Sequence, residues 1–475
     1  MTALFTSDVS SLPSPFSHFW EHTIGSGHAT LALRADWQMQ LARARSEIGC
    51  RYVRFHGILS DDMGTLIEQN DQPLYSFHNT DQIFDFLLSI GMKPFVELSF
   101  MPWILASNDE VVFHYRGRVC PPKDQNKWNT LITKLVQHWV DRYGAEEVRS
   151  WFFEIWNEPN LRAFWTGTQQ DYFDFYAGTA KAIKDVNADL KVGGPATASN
   201  AWIPELRHFC DVNNVPLDFI STHHYPTDAF GKPGDDTETQ LSLSRRSVLR
   251  EQTQQAKEEA GDLPLYYTEW STSSNPRDPL HDESYAAAYI AKNVLEQQGI
   301  VDAYSYWTFS DIFEENYFPS VPFHGGFGLL NIHNIAKPAY RAYQLLHMLG
   351  NERLEVTGAH ATVDAWLTRG NSALQLLLIN SALPRHEITE EVTTVTIKNN
   401  PHKKARVAII DGLRANAKAE WLKMGAPEYP SPAQVSLLDA ASHLVWVPQP
   451  LEAQGNSTSL QVMLPPQSVA LVVFE

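Results

Sequence analysis

Cysteine, basic residues and long apolar runs are all scarce in this chain of 475 residues. The three cysteines, Cys50, Cys120 and Cys210, stand far apart without CxxC spacing, so we expect neither a disulfide framework nor a thiolate metal site. Lysine and arginine number 37 against 55 aspartates and glutamates, which gives a net charge of −18. Because nucleic acids and anionic membranes attract basic surfaces, neither is expected as a partner. No apolar run approaches a membrane span.

The first residues, MTALFTSDVSSLPSPF, lack the basic start and the continuous apolar stretch of a secretory signal. We therefore expect a cytoplasmic protein, although a leader removed from a mature chain would leave no trace. A glycine-rich dinucleotide cradle is also missing, because the segment GSGHAT lacks the third glycine of that motif. We expect no cofactor and no metal, and a small neutral ligand.

What the sequence does contain is an alternation of short β-rich runs with longer helical stretches. Eight runs can be counted, at residues 19–25, 52–57, 93–99, 150–158, 191–196, 219–225, 264–270 and 303–309. Such alternation predicts parallel strands joined by helical crossovers. We therefore predict an α/β fold, a (β/α)8 TIM barrel over residues 16–345, in preference to a doubly wound sheet.

Beyond residue 345 the pattern changes to β-type runs separated by turn residues. Five such runs lie at residues 374–379, 392–397, 405–410, 460–464 and 468–474. This pattern predicts an all-β sandwich over residues 346–475, which is a common size for that architecture. We expect residues 1–15 to add an edge strand to the sandwich.

Two of the predicted barrel strands end in glutamates. The fourth run ends at Glu158 in EIWNE, and the seventh contains Glu269 in TEW. Since active sites of parallel barrels lie at the carboxyl ends of the strands, we expect both carboxylates at one mouth. Glycoside hydrolysis needs such a pair, an acid for the leaving oxygen and a carboxylate near the anomeric carbon. One alternative is a non-catalytic sugar-binding barrel in which the two glutamates are solvated. Another is a metal-dependent hydrolase, which is disfavoured because the sequence has few clustered metal ligands.

Longer segments make the sequence recognisable. SWFFEIWNEPNL and LPLYYTEWSTS resemble the acid/base and nucleophile segments of glycoside hydrolase clan A. RFHGILSDDMG (54–64), VCPPKDQNKWNTL (119–131), SYWTFSDIFEE (305–315) and VPFHGGFG (321–328) resemble family 39, in its β-xylosidase branch. The resemblance implies a retaining exo-glycosidase that releases xylose from β-1,4-xylo-oligosaccharides. The same machinery on another glycoside, such as an α-L-arabinoside, is the alternative.

The resemblance also implies roles for single residues. Glu158 corresponds to the general acid/base and Glu269 to the nucleophile. Asn157 resembles the residue that binds the sugar 2-hydroxyl, and His56 resembles a ligand of another hydroxyl. Some relatives form tetramers through a longer C-terminal tail, so we expect a monomer or a small homo-oligomer here.

Further pocket residues are expected on the later strands. His223 and Tyr225 share one face of the sixth run by period-two alternation, whereas His224 faces the other way. We expect the first two in the pocket and His224 in a structural role. Trp307, near the end of the eighth run, is expected to form an apolar floor under the sugar ring.

Four more glutamates are expected near the site. The resemblance places Glu314 and Glu315 near the sugar hydroxyls, with Glu315 favoured as a direct ligand. Glu154 lies deeper on the same predicted strand face as Trp156 and Glu158, so we interpret it as a hydrogen-bonded carboxylate inside the barrel. Glu97, at the end of the third run, is expected to support the ligands.

Overall fold

Eight parallel strands close into a barrel in which the order of the strands is their order in the chain. The structure is a computed structural model, and it describes residues 3–70, 72–227, 236–313, 315, 317–318, 320–370 and 373–475. The barrel strands are β1 (Thr23–His28), β2 (Tyr52–His56), β3 (Lys93–Glu97), β4 (Phe152–Glu154), β5 (Lys191–Thr197), β6 (Phe219–His224), β7 (Leu265–Trp270) and β8 (Ala303–Tyr306). The predicted (β/α)8 barrel is therefore confirmed.

Helices connect the strands and cover the outside of the barrel. They are α1 (Ala35–Ile48), α2 (His78–Ser89), α3 (Gln125–Tyr143), α4 (Ala145–Arg149), α5 (Gln169–Val186), α6 (Ile203–Asn213), α7 (Thr237–Ser242), α8 (Val248–Ala260), α9 (Ser284–Glu296) and α10 (Pro338–His347). The sequence sets several helix ends: Asp124 caps α3, and Thr168 forms a capping box with Asp171 at α5. Within the described residues, no helix is long and apolar enough to cross a membrane.

Short elements decorate the barrel loops. They comprise 3-10 helices at Phe19–Glu21, Ala29–Leu33, Asp61–Met63, Ala198–Asn200 and Pro279–Asp282, and the strand pairs Leu66–Gln69 with Gln72–Tyr75 and Val111–Val112 with Gly117–Arg118. The second strand pair lies in the loop after β3, which reaches the mouth of the barrel.

Of the eight strands, the first and the fourth depart most clearly from their predicted bounds. The first predicted run begins as the 3-10 helix Phe19–Glu21, and β1 starts only at Thr23. The fourth run is extended only as far as Glu154, because Trp156 and Glu158 have φ of 77° and 41°. Alternation of side chains holds only for extended backbone, so the predicted common face of Glu154, Trp156 and Glu158 is wrong. The Trp156 ring instead packs outside the barrel, against Phe175 and other aromatic rings of the helices.

An aromatic layer closes the lower end of the barrel interior. Phe95, Phe152 and Phe219 form a cluster there, with Tyr52 and Tyr266 against it. Gly193 on β5 faces Phe219, and an added Cβ would meet the ring of Phe219 at 2.4 Å. The polar side chains of the barrel interior lie above this layer, toward the mouth of the barrel.

Two β-sheets follow the barrel, as predicted for a sandwich. Their longer strands are β9 (Val363–Arg369), β10 (Leu374–Asn380), β11 (Glu391–Lys398), β12 (Ala405–Ile410), β13 (Ser457–Leu464) and β14 (Ser468–Phe474). Short strands at Ser14–Pro15, Glu352–Leu354, Val356–Thr357, Val447–Pro448 and Glu452–Gln454 extend the sheets. The central sheet order is β9–β10–β14–β12, and β11 pairs with β13 in the other sheet. The domain boundary near residue 345 stays a prediction.

The sandwich region contains two features that the strand pattern did not predict. The N-terminal strand Ala3–Asp8 is not at an edge, because it pairs with β11 on one side and with Val356–Thr357 on the other. Two helices, α11 (Ala417–Lys423) and α12 (Pro432–Ser442), are inserted after β12. They pack against barrel residues through a cluster that includes Phe323, Ile335, Trp421 and Leu438.

Candidate active site

A pocket of about 600 Å³ opens at the carboxyl ends of the barrel strands. Its lining includes the expected residues His56, Asn157, Glu158, Tyr225, Glu269, Trp307 and Glu315. The remaining lining includes Phe113, Leu161, Phe164, Pro226, Ser274, Pro276 and Phe327. His223 lies behind Glu158 and contacts it, and Glu314 lies outside the described residues. One mouth of one barrel thus brings together nearly all of the side chains that the sequence singled out.

The two glutamates at the strand ends face each other across the pocket. Glu158 follows β4 and Glu269 lies on β7, and both are buried. A carboxylate oxygen of each, together with a ring nitrogen of His223, lies within 4.8 Å of the others. The φ of 41° at Glu158 turns its side chain toward this pocket, a left-handed conformation that is uncommon for glutamate.

Glu269 is surrounded by hydrogen-bond donors. Arg54 donates from Nη1 to Oε1 of Glu269 at 2.7 Å, and the hydroxyl of Tyr225 donates to Oε2 at 2.9 Å. Burial, with the nearby charges of Glu269 and Glu158, raises the pKa of Tyr225 well above its ordinary value, so its phenol keeps the proton that it donates. A guanidinium and a phenol thus both donate to Glu269, and the two hydrogen bonds fix the orientation of its carboxyl group.

Arg54 is the functional residue that the sequence reasoning missed. Its guanidinium is fully buried and contacts Glu97, Glu154 and Glu269 as well as the amide oxygen of Asn157. The signal was present, because Arg54 is two residues before His56 on β2 and therefore shares its face. Burial disfavours its charge, but the surrounding carboxylates outweigh burial and raise the pKa of Arg54.

The contact with Arg54 orients Asn157. Arg54 Nη2 donates to Oδ1 of Asn157 at 2.9 Å, which fixes the amide oxygen toward the barrel axis. The amide nitrogen of Asn157, on the other side of the group, is then available as a donor to a ligand in the pocket that Asn157 lines. Glu97 and Glu154 are the supporting carboxylates beneath, as the strand positions suggested.

Glu158 has the opposite environment to Glu269. Burial, followed by the charge of Glu269, raises the pKa of Glu158 well above its ordinary value of 4.5. Trp156 and Phe153, which are apolar residues close to Glu158 in the sequence, face outward and pack against aromatic rings of the helices. Burial of Glu158 at the base of the pocket, rather than contact with these two rings, therefore supplies the desolvation.

The hydrogen-bond chain behind Glu158 also assigns it a proton. The single hydroxyl proton of Thr268 is donated to Glu154 at 2.7 Å, so Thr268 Oγ1 accepts from Nε2–H of His223 at 3.1 Å. Burial, helped by the charge of Arg54, holds the pKa of His223 well below its ordinary value, so its ring is neutral. Its Nδ1 therefore carries no proton and lies 3.0 Å from Oε1 of Glu158. A hydrogen bond there requires Glu158 to be the donor.

A third acidic side chain, Glu315, approaches the pair from the loop after β8. Nε2 of His56 lies 3.5 Å from Glu315 and 3.7 Å from Glu269, while its Nδ1 is 2.7 Å from Glu97. Burial and the charges of Glu269 and Glu158 raise the pKa of Glu315 well above its ordinary value. A neutral carboxylic acid at Glu315 can donate to and accept from sugar hydroxyls.

Aromatic rings form the apolar side of the pocket. Trp307 is nearly fully buried and belongs to a cluster with Phe313 and Phe327. The ring of His56 lies 4.8 Å from that of Trp307. His224, by contrast, faces away from the pocket: its Nε2 is 2.7 Å from the hydroxyl of Tyr304, which agrees with the structural role expected for it.

Two groups of side chains among the described residues have the close spacing of metal ligands. One is Glu158, His223 and Glu269, in which Glu269 is already contacted by Arg54. The other is His18, Glu21 and His347, which lies away from the pocket. The expectation of a site without metal or cofactor stays a prediction.

At the mouth of this parallel barrel, the carboxyl of Glu158 faces that of Glu269, which accepts hydrogen bonds from two donors. Cleavage of a glycosidic bond requires such a pair of carboxyl groups. Fold and site together define the class of protein as a glycoside hydrolase. The chain belongs to the glycosyl hydrolases family 39, whose family model matches residues 7–458.

Two β-xylosidases and one solved structure are similar to this chain over nearly their whole length. A β-xylosidase of Caldicellulosiruptor saccharolyticus is 49% identical over 435 residues, covering 90% of this chain and 88% of that protein. A β-xylosidase of Geobacillus stearothermophilus is 38% identical over 474 residues, covering 97% and 93%. The crystal structure of a monomeric β-xylosidase from Caulobacter crescentus CB15 superposes with a TM-score of 0.88 at 32% identity, covering 100% of this chain and 99% of that one.

Proposed function

We propose that this protein is a retaining, exo-acting β-xylosidase that releases xylose from β-1,4-xylo-oligosaccharides. The observation that carries the proposal is the pair Glu158 and Glu269, whose carboxylate oxygens lie within 4.8 Å of each other in opposite electrostatic environments. Retaining glycosidases hold their carboxyls about 5–5.5 Å apart, whereas inverting enzymes leave about 6.5–9.5 Å for a water. The β-xylosidases named above support the choice of sugar.

In the first step Glu158 acts as the acid. It gives its proton to the oxygen of the leaving sugar while Glu269 attacks the anomeric carbon and forms a covalent glycosyl ester. Arg54 and Tyr225 donate to the two oxygens of Glu269 and keep its carboxyl group aligned before the attack. When Glu269 forms its bond to the anomeric carbon, Glu269 loses its negative charge. That charge is one of the causes that raise the pKa of Glu158, so its loss favours release of the proton from Glu158.

In the second step Glu158 acts as the base. Once it has lost its proton, it removes a proton from the incoming water, which attacks the anomeric carbon and releases Glu269. In the first state, the unprotonated Nδ1 of His223 accepts a hydrogen bond from the carboxyl of Glu158. Two inversions give overall retention at the anomeric carbon.

The remaining pocket residues bind the sugar. Asn157 presents its amide nitrogen toward the position of the 2-hydroxyl, next to the carbon that reacts. His56 and the neutral acid Glu315 face the other hydroxyls, and Glu314 is proposed beside them. The Trp307 ring supplies the apolar surface on which the face of a pyranose packs.

Exo action is supported by the loops around the pocket. Phe113, on the loop after β3, lines the pocket, and the neighbouring His114 ring lies 4.4 Å from Tyr317 on the loop after β8. Tyr115 stacks on His28 at 3.8 Å. Loops that meet in this way close one side of the pocket and admit a chain end more readily than a chain interior. The likeness to a monomeric β-xylosidase supports a monomer or a small homo-oligomer.

Replacement of the nucleophile tests this proposal. Glu269→Ala should reduce hydrolysis of an aryl β-xyloside at least about a thousandfold. Azide should partly restore turnover and yield the α-glycosyl azide, because the small anion attacks the face that Glu269 occupied. Glu315→Gln is the matched control: it removes a neighbouring carboxyl, and azide should not rescue it. Full activity of Glu269→Ala, or a β-azide product, would exclude the assignment. A panel of aryl glycosides run with wild-type protein decides between β-xyloside and α-L-arabinoside.

A further inference from the structure

A buried ionic cluster lies outside the pocket, between the loop after β7 and the loop after β8. It consists of Lys337, Asp282 and Asp311, here called the lysine clasp, and all three side chains are almost completely buried. We propose that the lysine clasp is a positioning unit that fixes Phe327 in the wall of the sugar pocket and thereby sets the affinity for the substrate. The proposal rests on the proposed glycosidase function of that pocket.

The lysine at the centre of the clasp is held by three oxygens. Nζ of Lys337 lies 2.7 Å from Oδ1 of Asp282 and 2.7 Å from Oδ2 of Asp311, and it donates to the carbonyl oxygen of Gly326 at 2.9 Å. Burial alone would lower the pKa of Lys337, but the two carboxylates outweigh burial and raise it above its ordinary value. The lysine is therefore charged, and its three protons are all directed to acceptors.

Each aspartate also holds the backbone of the loop after β8. The second oxygen of Asp282 accepts from the N–H of Gly325 at 2.7 Å, and the second oxygen of Asp311 accepts from the N–H of Gly328 at 2.8 Å. With the contact from Lys337 to Gly326, residues 325–328 are fixed at three of four positions. Phe327 is the side chain within this fixed segment, so the backbone on both sides of it is immobilised.

The clasp gives a physical reason for the glycines in the segment HGGFG. A Cβ added to Gly326 would meet a carboxylate oxygen of Asp311 at 2.4 Å, and a Cβ added to Gly328 would meet the Asp311 backbone nitrogen at 2.1 Å. At Gly325, φ is 79°, and a Cβ would meet the carbonyl oxygen of Asp278 at 2.5 Å. The loop can approach the aspartates this closely only because these positions have no side chain.

The fixed segment faces the pocket through a single aromatic ring. Phe327 lines the pocket, packs at 5.8 Å against Phe313 and lies 5.1 Å from His281. Phe313 in turn lies 5.9 Å from Trp307. Asp282 precedes α9, the helix that follows the strand of Glu269, so the clasp joins the wall of the pocket to the nucleophile side of the barrel. Loosening the clasp should therefore change where Phe327 sits relative to a bound sugar.

Kinetics of Asp282→Asn tests the clasp. Asparagine keeps the shape but removes a charge, so we expect KM to rise about tenfold and kcat to change less than about threefold. Phe327→Ala should raise KM by a similar factor. In the double variant, KM should be at most about twofold higher than in the more impaired single variant, because both substitutions act through one ring. The proposal would be overturned if the two increases in KM multiplied in the double variant. It would also be overturned if Asp282→Asn left KM unchanged while Phe327→Ala raised it.

Lys292→Met is the matched control for general damage to a buried ion pair. Lys292 is buried in α9, pairs with Glu296 and lies against the sandwich rather than the pocket. Its loss should lower the melting temperature with KM unchanged. If Asp282→Asn fails to fold, Lys337→Arg retains the charge in a different shape, and the same rise in KM and non-additivity with Phe327→Ala are expected. All measurements use the glycoside that the wild-type protein hydrolyses best. If that glycoside is not a β-xyloside, the proposed sugar specificity is refuted, but the role of the lysine clasp is still tested by the change in KM.

Discussion

Glu158 and Glu269 are chemically identical side chains whose roles are separated by their neighbours. Glu269 receives two donors, from Arg54 and Tyr225, whereas Glu158 lies against the unprotonated nitrogen of His223. One environment presents hydrogen-bond donors to the carboxyl group, and the other presents an acceptor to it. The sequence identified the pair, because both glutamates lie at or near the ends of predicted strands. It did not identify Arg54, whose carboxylate partners come from three other strands.

The pH dependence of the reaction follows from the raised pKa of Glu158. A raised pKa keeps the acid form present to higher pH, so kcat/KM for an unactivated xylo-oligosaccharide should fall only as the pH passes a value well above 4.5. This decline of kcat/KM at high pH should be absent when Glu158→Gln is assayed with a dinitrophenyl xyloside, whose leaving group needs no proton. Persistence of the same decline in Glu158→Gln would assign it to another group.

At the scale of single elements, packing in the barrel interior depends on the size of the side chains as much as on their polarity. Alternation along β6 correctly predicts that His223 faces the site and that His224 does not, because this strand is extended as far as His224. It fails after β4, where positive φ values at Trp156 and Glu158 change the direction of each side chain. Such turns are decided by packing against β5, to which Glu158 donates its N–H at the carbonyl of Ala196, and a local pattern does not reveal them.

A prediction at this scale concerns Gly193 on β5. An added methyl group would meet the ring and the carbonyl oxygen of Phe219, so Gly193→Ala should lower the free energy of unfolding by roughly 1–3 kcal/mol. Urea denaturation of the intact protein measures this change. Gly412→Ala is the control, because no atom lies within 4 Å of its Cβ position, and we expect a change within about 0.5 kcal/mol. Equal stability of both variants would contradict the account of the aromatic layer.

In the whole molecule, the sandwich region contacts the loops that form the pocket. Arg246, before α8, pairs with Asp364 of β9 at 2.5 Å, which joins the connection after β6 to the sandwich. Lys418 of α11 pairs with Glu283 beside the lysine clasp. Trp421 of the same helix packs at 5.6 Å against Phe323, on the loop after β8. These contacts suggest that the sandwich stabilises the pocket from outside.

Trp421→Ala tests this coupling. Removal of a buried indole should lower the free energy of unfolding by roughly 3–5 kcal/mol. KM should also rise, because Phe323 precedes the segment that carries Phe327 and loses its support. Tyr429→Ala, at an exposed position between the same two helices, should change neither quantity. A large loss of stability with an unaltered KM would mean that the sandwich supports folding alone.

The sequence by itself determined the eight strand–helix units, the change to a sandwich and the two glutamates at strand ends, because these depend on local periodicity and on motifs continuous in the chain. It also indicated His56, Tyr225 and Trp307 as pocket residues. Only the tertiary structure decided that Arg54 joins three carboxylates, that the N-terminal strand lies inside a sheet, and that Lys337 meets aspartates from two loops. Each of these depends on residues far apart in the chain, whose spacing carries no periodic signal.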